Sequence, residues 1–234
     1  MSRITHYVDL AKIDYKKAWD FQEKCFDEVL AIKQDKGNPN SKNYLLFCEH
    51  PHVYTLGKSG EEKNILLDSI QLQEKEASFY KTNRGGDVTY HGPGQIVGYP
   101  ILDLESLGFG LKDYIYHMEE AIILMLKEYN IHAERLDGAT GVWLDKDVPT
   151  KARKICAIGV RASHFVTMHG FALNVNTDLS YFNHINPCGY TDKDVTSMEK
   201  ELGSVQDLSQ IQEKLKKHLS TELSLNLVEK NGEI

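Results

Sequence analysis

The spacing of hydrophobic positions changes several times along this chain of 234 residues, and each spacing predicts an element. Residues 4–10 read as a short strand. Tyr15, Ala18, Trp19, Cys25, Phe26, Val29 and Leu30 recur at helical intervals and predict an amphipathic helix over 14–33, with Cys25 in the core. A polar loop of turn formers, 35–40, separates it from a buried strand at 43–49, which holds Cys48. Residues 80–90 predict strand, glycine turn, strand, and Gly92-Pro93-Gly94 ends the second. Residues 95–104 read as another strand, with Pro100 implying an edge or a bulge. Ile115, Met118, Ile122, Leu126 and Tyr129 predict a helix over 111–129. A run of strands at 131–136, 140–145, 153–161 and 164–176 follows. Residues 180–190 are irregular. Leu208, Ile211, Leu215, Leu219 and Leu223 predict a last helix over 207–223, with Ser209 and Gln212 resembling a capping box.

Composition narrows the class. The length suits one large domain or two small, closely packed ones, without repeats or a convincing linker. Apolar residues make up 41% and charged residues 26%, as in ordinary soluble enzymes. A net charge of -7 argues against non-specific nucleic-acid binding. No apolar run has transmembrane length, and residues 1–20 lack a secretory or transit pattern. Cysteines 25, 48, 156 and 188 form no CxxC pair, which argues against a zinc site or a disulfide scaffold and fits a reducing cytoplasm.

Four segments carry candidate chemistry. In Asn186-Pro187-Cys188-Gly189, a proline and a glycine bracket a thiol in a tight turn. Cys188 is either a packed loop residue or a nucleophile at the rim of a cleft. Lys154 stands in the apolar run Lys154-Ile155-Cys156-Ala157-Ile158-Gly159. It either snorkels to solvent or, partly desolvated, exchanges protons near neutral pH and favours a nearby thiolate. The segment 84–95 is glycine-rich but is neither a dinucleotide fingerprint nor a P-loop. Its glycines permit close backbone approach, and His91 either hydrogen-bonds a carbonyl or braces a turn. Asp87 and Thr89 alternate with Val88 and Tyr90, so one pair faces a site. In 169–176, Gly170 marks a close approach, and Asn174 and Asn176 share a face. His50 and His52 flank a proline, which suits a hydrogen-bonding or substrate-loop role better than a metal.

The blocks EHPHVYTLGKS, RGGDVTYHGPGQIVGYPILDL, KICAIGVRASHFVTMHGFALNVNTDL and INPCGY, in the right order and spread from about Asn43 to Met198, resemble the signatures of the lipoyl(octanoyl) transferases. The resemblance implies an α/β fold of the α+β type, similar to biotin and lipoate protein ligases: a large mixed sheet flanked by helices, with a smaller sheet, in one catalytic domain over 1–234. It implies transfer of an octanoyl (or lipoyl) group from acyl carrier protein, with octanoyl-acyl carrier protein as donor, to a lysine of lipoyl domains, those of 2-oxoacid dehydrogenase E2 subunits and glycine cleavage H protein, with no cofactor or metal. Cys188 carries over as the nucleophile and Lys154 as the base. Arg84, Gly85, Gly86, Asp87, Val88, Thr89, Tyr90 and His91 carry over to the acyl site, with Ala157, Ile158 and Gly159, and with His169, Gly170, Phe171 and Ala172. Tyr90, Val97 and Phe171 are candidates for an apolar tunnel.

Acyl carrier proteins are acidic, so a negative chain needs a basic patch for docking. Lys58, Arg84, Lys146, Lys151, Arg153 and Arg161 are the candidates. A cytoplasmic monomer is expected. Two other readings remain: an ATP-dependent lipoate or biotin ligase on the same fold, and a non-catalytic lipoyl- or carrier-binding module in which Cys188 only packs.

Overall fold

The computed structural model describes residues 4–35, 42–186 and 194–230. Cys188 and its turn lie outside the described residues, as does most of the 35–40 loop. Strand β1 (Ile4–Lys12) leads into helix α1 (Tyr15–Gln34), capped by the Asp14 carboxylate, which accepts from the amides of Lys16 and Lys17. Strands β2 (Lys42–Glu49) and β3 (Val53–Leu56), helix α2 (Ser69–Glu74), then β4 (Ser78–Lys81), β5 (Val88–His91) and β6 (Gln95–Ile101) follow. Helices α3 (Leu104–Leu107) and α4 (Leu111–Lys127) precede β7 (Glu134–Leu136), β8 (Ala139–Leu144), β9 (Arg153–Ser163) and β10 (Val166–Asn174). The chain continues through a 3-10 turn at Leu179–His184, β11 (Asp194–Val195), α5 (Met198–Leu202), α6 (Leu208–Glu222) and β12 (Asn226–Glu229).

Two sheets result. The large one runs β12-β1-β2-β6-β10-β9-β8-β7, with β11 against β9; the small one runs β4-β3-β5. The large sheet is mixed: β1 is parallel to β2 and β12, whereas β2, β6, β10, β9, β8 and β7 run antiparallel in turn. This is the expected large mixed sheet with a smaller one.

Both faces of the central strands are covered, which is why β2 reads as a continuous apolar run rather than an alternation. Tyr44, Leu46 and Cys48 pack beneath α1 with Cys25, Phe26 and Val29. Leu45 and Phe47 point the other way, toward Met118, Ile122 and Leu126 of α4 and Ile211, Leu215 and Leu219 of α6. A third cluster joins Tyr54, Leu56, Val88, Tyr90 and Ile185 beside the small sheet.

Two expectations need correction. Pro100 is in a central strand, since β6 lies between β2 and β10. Its carbonyl accepts from Thr167 Oγ1 at 2.8 Å, so the missing N–H also faces β10. The regular β6–β10 register spans only Gln95 to Gly98 on β6, and Pro100 sits beyond it. The ladder therefore loses no bond there. The cap of α6 is Asp207, whose carboxylate accepts from the Gln210 amide at 3.2 Å, not the Ser209–Gln212 pair.

Candidate active site

A cavity of about 340 Å3 opens where the small sheet meets β6, β9 and β10 of the large one. Arg84, Gly86, Asp87, Val88, Thr89 and His91 form one wall, and Lys154, Ala157, Ile158 and Gly159 another. His169, Gly170, Phe171 and Ala172 complete the group expected from sequence. Two expected residues do not line it. Gly85 donates its amide to Val160 O at 2.9 Å, stitching its segment to β9. Tyr90 turns to the opposite face of β5, where its ring packs on Tyr54 and Tyr181 and its hydroxyl meets His52 Nδ1 at 2.7 Å. Along β5, Thr89 and His91 turn to the cavity and Tyr90 to the opposite face, while Val88, at the start of the strand, also reaches the cavity. The Tyr90 tunnel wall is thus withdrawn, while Val97 and Phe171 do line the cavity.

The glycines after Arg84 serve backbone packing first. A Cβ on Gly159 would stand 2.9 Å from Gly85 O, and one on Gly57 would stand 2.3 Å from Gly86 O. That close layering sets Arg84 over the cavity. Its guanidinium donates to Thr55 O at 2.7 Å, to Thr55 Oγ1 at 2.9 Å and to Gly85 O at 3.0 Å, which leaves a buried cation at the wall.

His91 is buried and stacked on Tyr15, with ring centroids 5.9 Å apart. Gln95 Nε2 donates to Tyr90 O and to Asn174 Oδ1, so Gln95 Oε1 must accept from His91 Nδ1 at 2.8 Å. The proton on Nδ1 leaves Nε2 of the neutral ring as an acceptor. Burial, helped by His50 and Arg84, pushes His91 down to about 3, against a raising bond from Gln95. Asn174 passes the chain of bonds on to Thr196 O at 3.0 Å. Asn176 instead exchanges bonds with the backbone of Gln206, a structural role.

His169 adopts φ 58, a left-handed conformation uncommon for a residue with a side chain. Its amide donates to Gln22 Oε1 at 3.0 Å, and its Nε2 bonds Asn83 Oδ1 at 2.6 Å. Burial, with Arg84 and Arg161 nearby, holds it down to about 3.

Lys154 lies on β9 between β8 and β11, opposite Trp143 and Val195. Its Nζ donates to Thr140 O at 3.1 Å and stands 4.6 Å from the centre of the Trp143 ring. The amine is therefore at the cavity rather than simply snorkelling outward. Phe182 and Asp194, each six positions from Cys188, also line the cavity.

Gln95 lines the cavity, as expected of the end of the 84–95 segment, whereas sequence reading missed Tyr15, Tyr99, Thr140 and Trp143 as lining residues. Tyr99 was findable, because it follows Val97 at period two and so shares its face. His50 and His52 are engaged by Ile13 O, Tyr99 OH and Tyr90 OH. Among the described residues, no three His, Cys, Asp or Glu side chains gather as a metal cage, and no helix is long and apolar enough to cross a membrane.

The basic patch is also revised. Arg153 grips Glu201 with two bonds of 2.7 Å and pairs with Asp145. Lys146 pairs with Asp147 at 2.8 Å and Glu134 at 3.5 Å. Arg84 is buried, and Arg161 donates to Met168 Sδ at 3.1 Å and lies over the Phe26 ring. Lys58 and Lys151 remain exposed.

Comparison with known proteins follows the same lines. The model of the lipoyl protein ligase A/B catalytic domain matches residues 14–220. An octanoyltransferase of Cytophaga hutchinsonii is 51% identical over 225 residues, covering 94% of this chain and 92% of its own. One from Parabacteroides distasonis is 57% identical over 201 residues, covering 86% and 90%. A bipartite lipoate protein ligase of Thermoplasma acidophilum superposes with a TM-score of 0.71 at 14% identity, covering 98% of this chain and 88% of that one, which is a likeness of fold.

Proposed function

The chain belongs to the lipoyl protein ligase A/B catalytic-domain family, and we propose that it transfers octanoyl groups through a thioester on Cys188, with Lys154 moving the protons. It is an acyltransferase, and octanoyl transfer in protein lipoylation is the activity its relatives support. The donor is octanoyl-acyl carrier protein, and the acceptors are lysines of lipoyl domains.

The observation that carries this reading is the position of Lys154, an amine held at the wall of a cavity that also contains apolar surface from Val88, Val97, Ile158 and Phe171. Burying the alkyl chain there contributes roughly 5 kcal/mol, at about 0.8 kcal/mol per methylene. Lys154 accepts the thiol proton of Cys188, whose sulfur attacks the thioester carbonyl. The donor thiolate leaves and takes that proton. The acceptor amine then attacks the second thioester, loses a proton to Lys154 and forms an amide, as Cys188 leaves as thiolate and is reprotonated. The first exchange trades one thioester for another, and amide formation is downhill, so no nucleotide is consumed. Arg84 lines the same cavity, and as a cation it suits a carbonyl oxygen that develops charge there.

Mass spectrometry of the intact chain after exposure to octanoyl donor is expected to show one octanoyl adduct, lost in Cys188→Ser. Lys154→Ala is expected to fold normally and to lose most amide formation. An unmodified wild-type chain that still turns over would overturn the covalent route. Product formed from ATP and free octanoate would favour the ligase reading, and function retained in Cys188→Ser the binding-module reading.

A further inference from the structure

Behind Lys154 lies a buried carboxylate that the transfer reaction itself does not use. Glu119 of α4 accepts from the Gly141 amide at 2.9 Å and pairs with Arg135 Nε at 3.1 Å. The peptide that presents this N–H is the one whose carbonyl, Thr140 O, accepts from Lys154 Nζ. One peptide unit therefore has the carboxylate on one side and the ammonium on the other. Its N–H and C=O bonds point in opposite directions and their dipoles add, so a negative charge at the N–H makes the carbonyl a stronger acceptor. The peptide is held where only glycine is comfortable: Gly141 has φ 120, and a Cβ there would stand 2.5 Å from Cys156 O and 3.4 Å from Lys154 Cε. Arg135 is anchored in turn by Glu120 at 2.6 Å and by Tyr116 O at 2.8 Å.

We propose that Glu119 is a positioning residue for Lys154, orienting and polarising the Thr140–Gly141 peptide so that the amine is held at the cavity wall and the proton it takes from the thiol is stabilised there. Other charged and titratable groups surround the amine. Arg135 backs the carboxylate from β7; Arg153 and Cys156 share β9 with Lys154; Asp194 comes from β11; and Asp87, Arg84, His91 and His169 line the cavity from the far walls. Of these, Glu119 is joined to the amine through a single peptide.

The kinetic arm of the test rests on Lys154 being the proton carrier; the direct arm does not. In Glu119→Gln the amide oxygen can still accept from Gly141 while the charge is gone. Loss of the charge disfavours the ammonium, so the Lys154 side-chain titration, followed by NMR of labelled lysine and assigned with Lys154→Ala, is expected to fall by about half a unit to one unit. The ascending limb of the pH–rate profile for acyl transfer is expected to move to lower pH by the same amount. A merely structural role would lower the rate and leave that limb in place. If the NMR titration falls while the limb stays, Glu119 tunes Lys154 as proposed and the base role of Lys154 is what fails. An unshifted Lys154 titration in folded Glu119→Gln overturns the proposal. Should that variant not fold, the wild-type Gly141 amide resonance decides: it is expected to move with the Lys154 titration, and a flat response overturns the proposal.

Discussion

His50, His91 and His169 are buried rings held neutral by the cost of taking an imidazolium out of water. Burial is the leading cause for each, and it sets His91 and His169 at about 3 and His50 at about 4. In the unfolded chain each returns to about 6.5. Below that pH the unfolded chain binds protons that the native one refuses, so native stability falls as the solution is acidified from about pH 6.5 toward those values. Each ring contributes up to about 1.4 kcal/mol per pH unit within its window. Urea unfolding is therefore expected to show a lower midpoint at pH 5 than at pH 7. His50→Gln, which loses one of the three rings, is expected to flatten that dependence; an unchanged slope would mean that His50 is already charged in the native state. The histidines stood out in the sequence, but their neutrality did not. It follows from α1 and the small sheet closing over the rings, as in the Tyr15–His91 stack.

Among the elements, β11 and α5 depend on a charge that sequence reading assigned to docking. Arg153 spans from β9 to Glu201 on α5, and Thr196 Oγ1 shares the same carboxylate at 2.5 Å. Arg153→Ala is expected to cost about 1–2 kcal/mol in chemical denaturation, by leaving a partly buried carboxylate short of its partner. Its effect on the KM for acyl carrier protein is expected to be small. Lys151→Glu, at an exposed position, is expected to raise that KM and to weaken its salt dependence. The reverse pattern would restore Arg153 to the docking surface. Strand and helix locations were legible from periodicity because burial on one or two faces writes itself into the spacing of apolar residues. Charge pairing is not written that way: Arg153 and Glu201 lie 48 residues apart, and only the β9–β11 register brings them together.

Across the whole molecule, layering governs where the fold is strongest. Strands β2 and β6 are flanked by hydrogen-bonded neighbours and covered on both faces, whereas β12 and β4 are edges. Amide hydrogen exchange in β2 and β6 is expected to proceed only through global unfolding, and in β12 and β4 through local opening at lower cost. Exchange in β2 as fast as in β4 would contradict that order.

The sequence by itself determined the three long helices, most strands of the large sheet and the buried character of β2, for which short-range periodicity and local backbone preference suffice. The residues expected around the cavity came from the resemblance of their motifs to the lipoyl(octanoyl) transferases. Only the tertiary structure decided that Tyr90 faces away from the site, that Pro100 sits harmlessly in a central strand, and that Glu119 reaches Lys154 through one peptide. Each of these depends on which distant segments share a wall, as when the Gln22 side chain receives the amide of His169 from 147 residues away. Such contacts are set by packing between layers, and no local pattern along the chain specifies them.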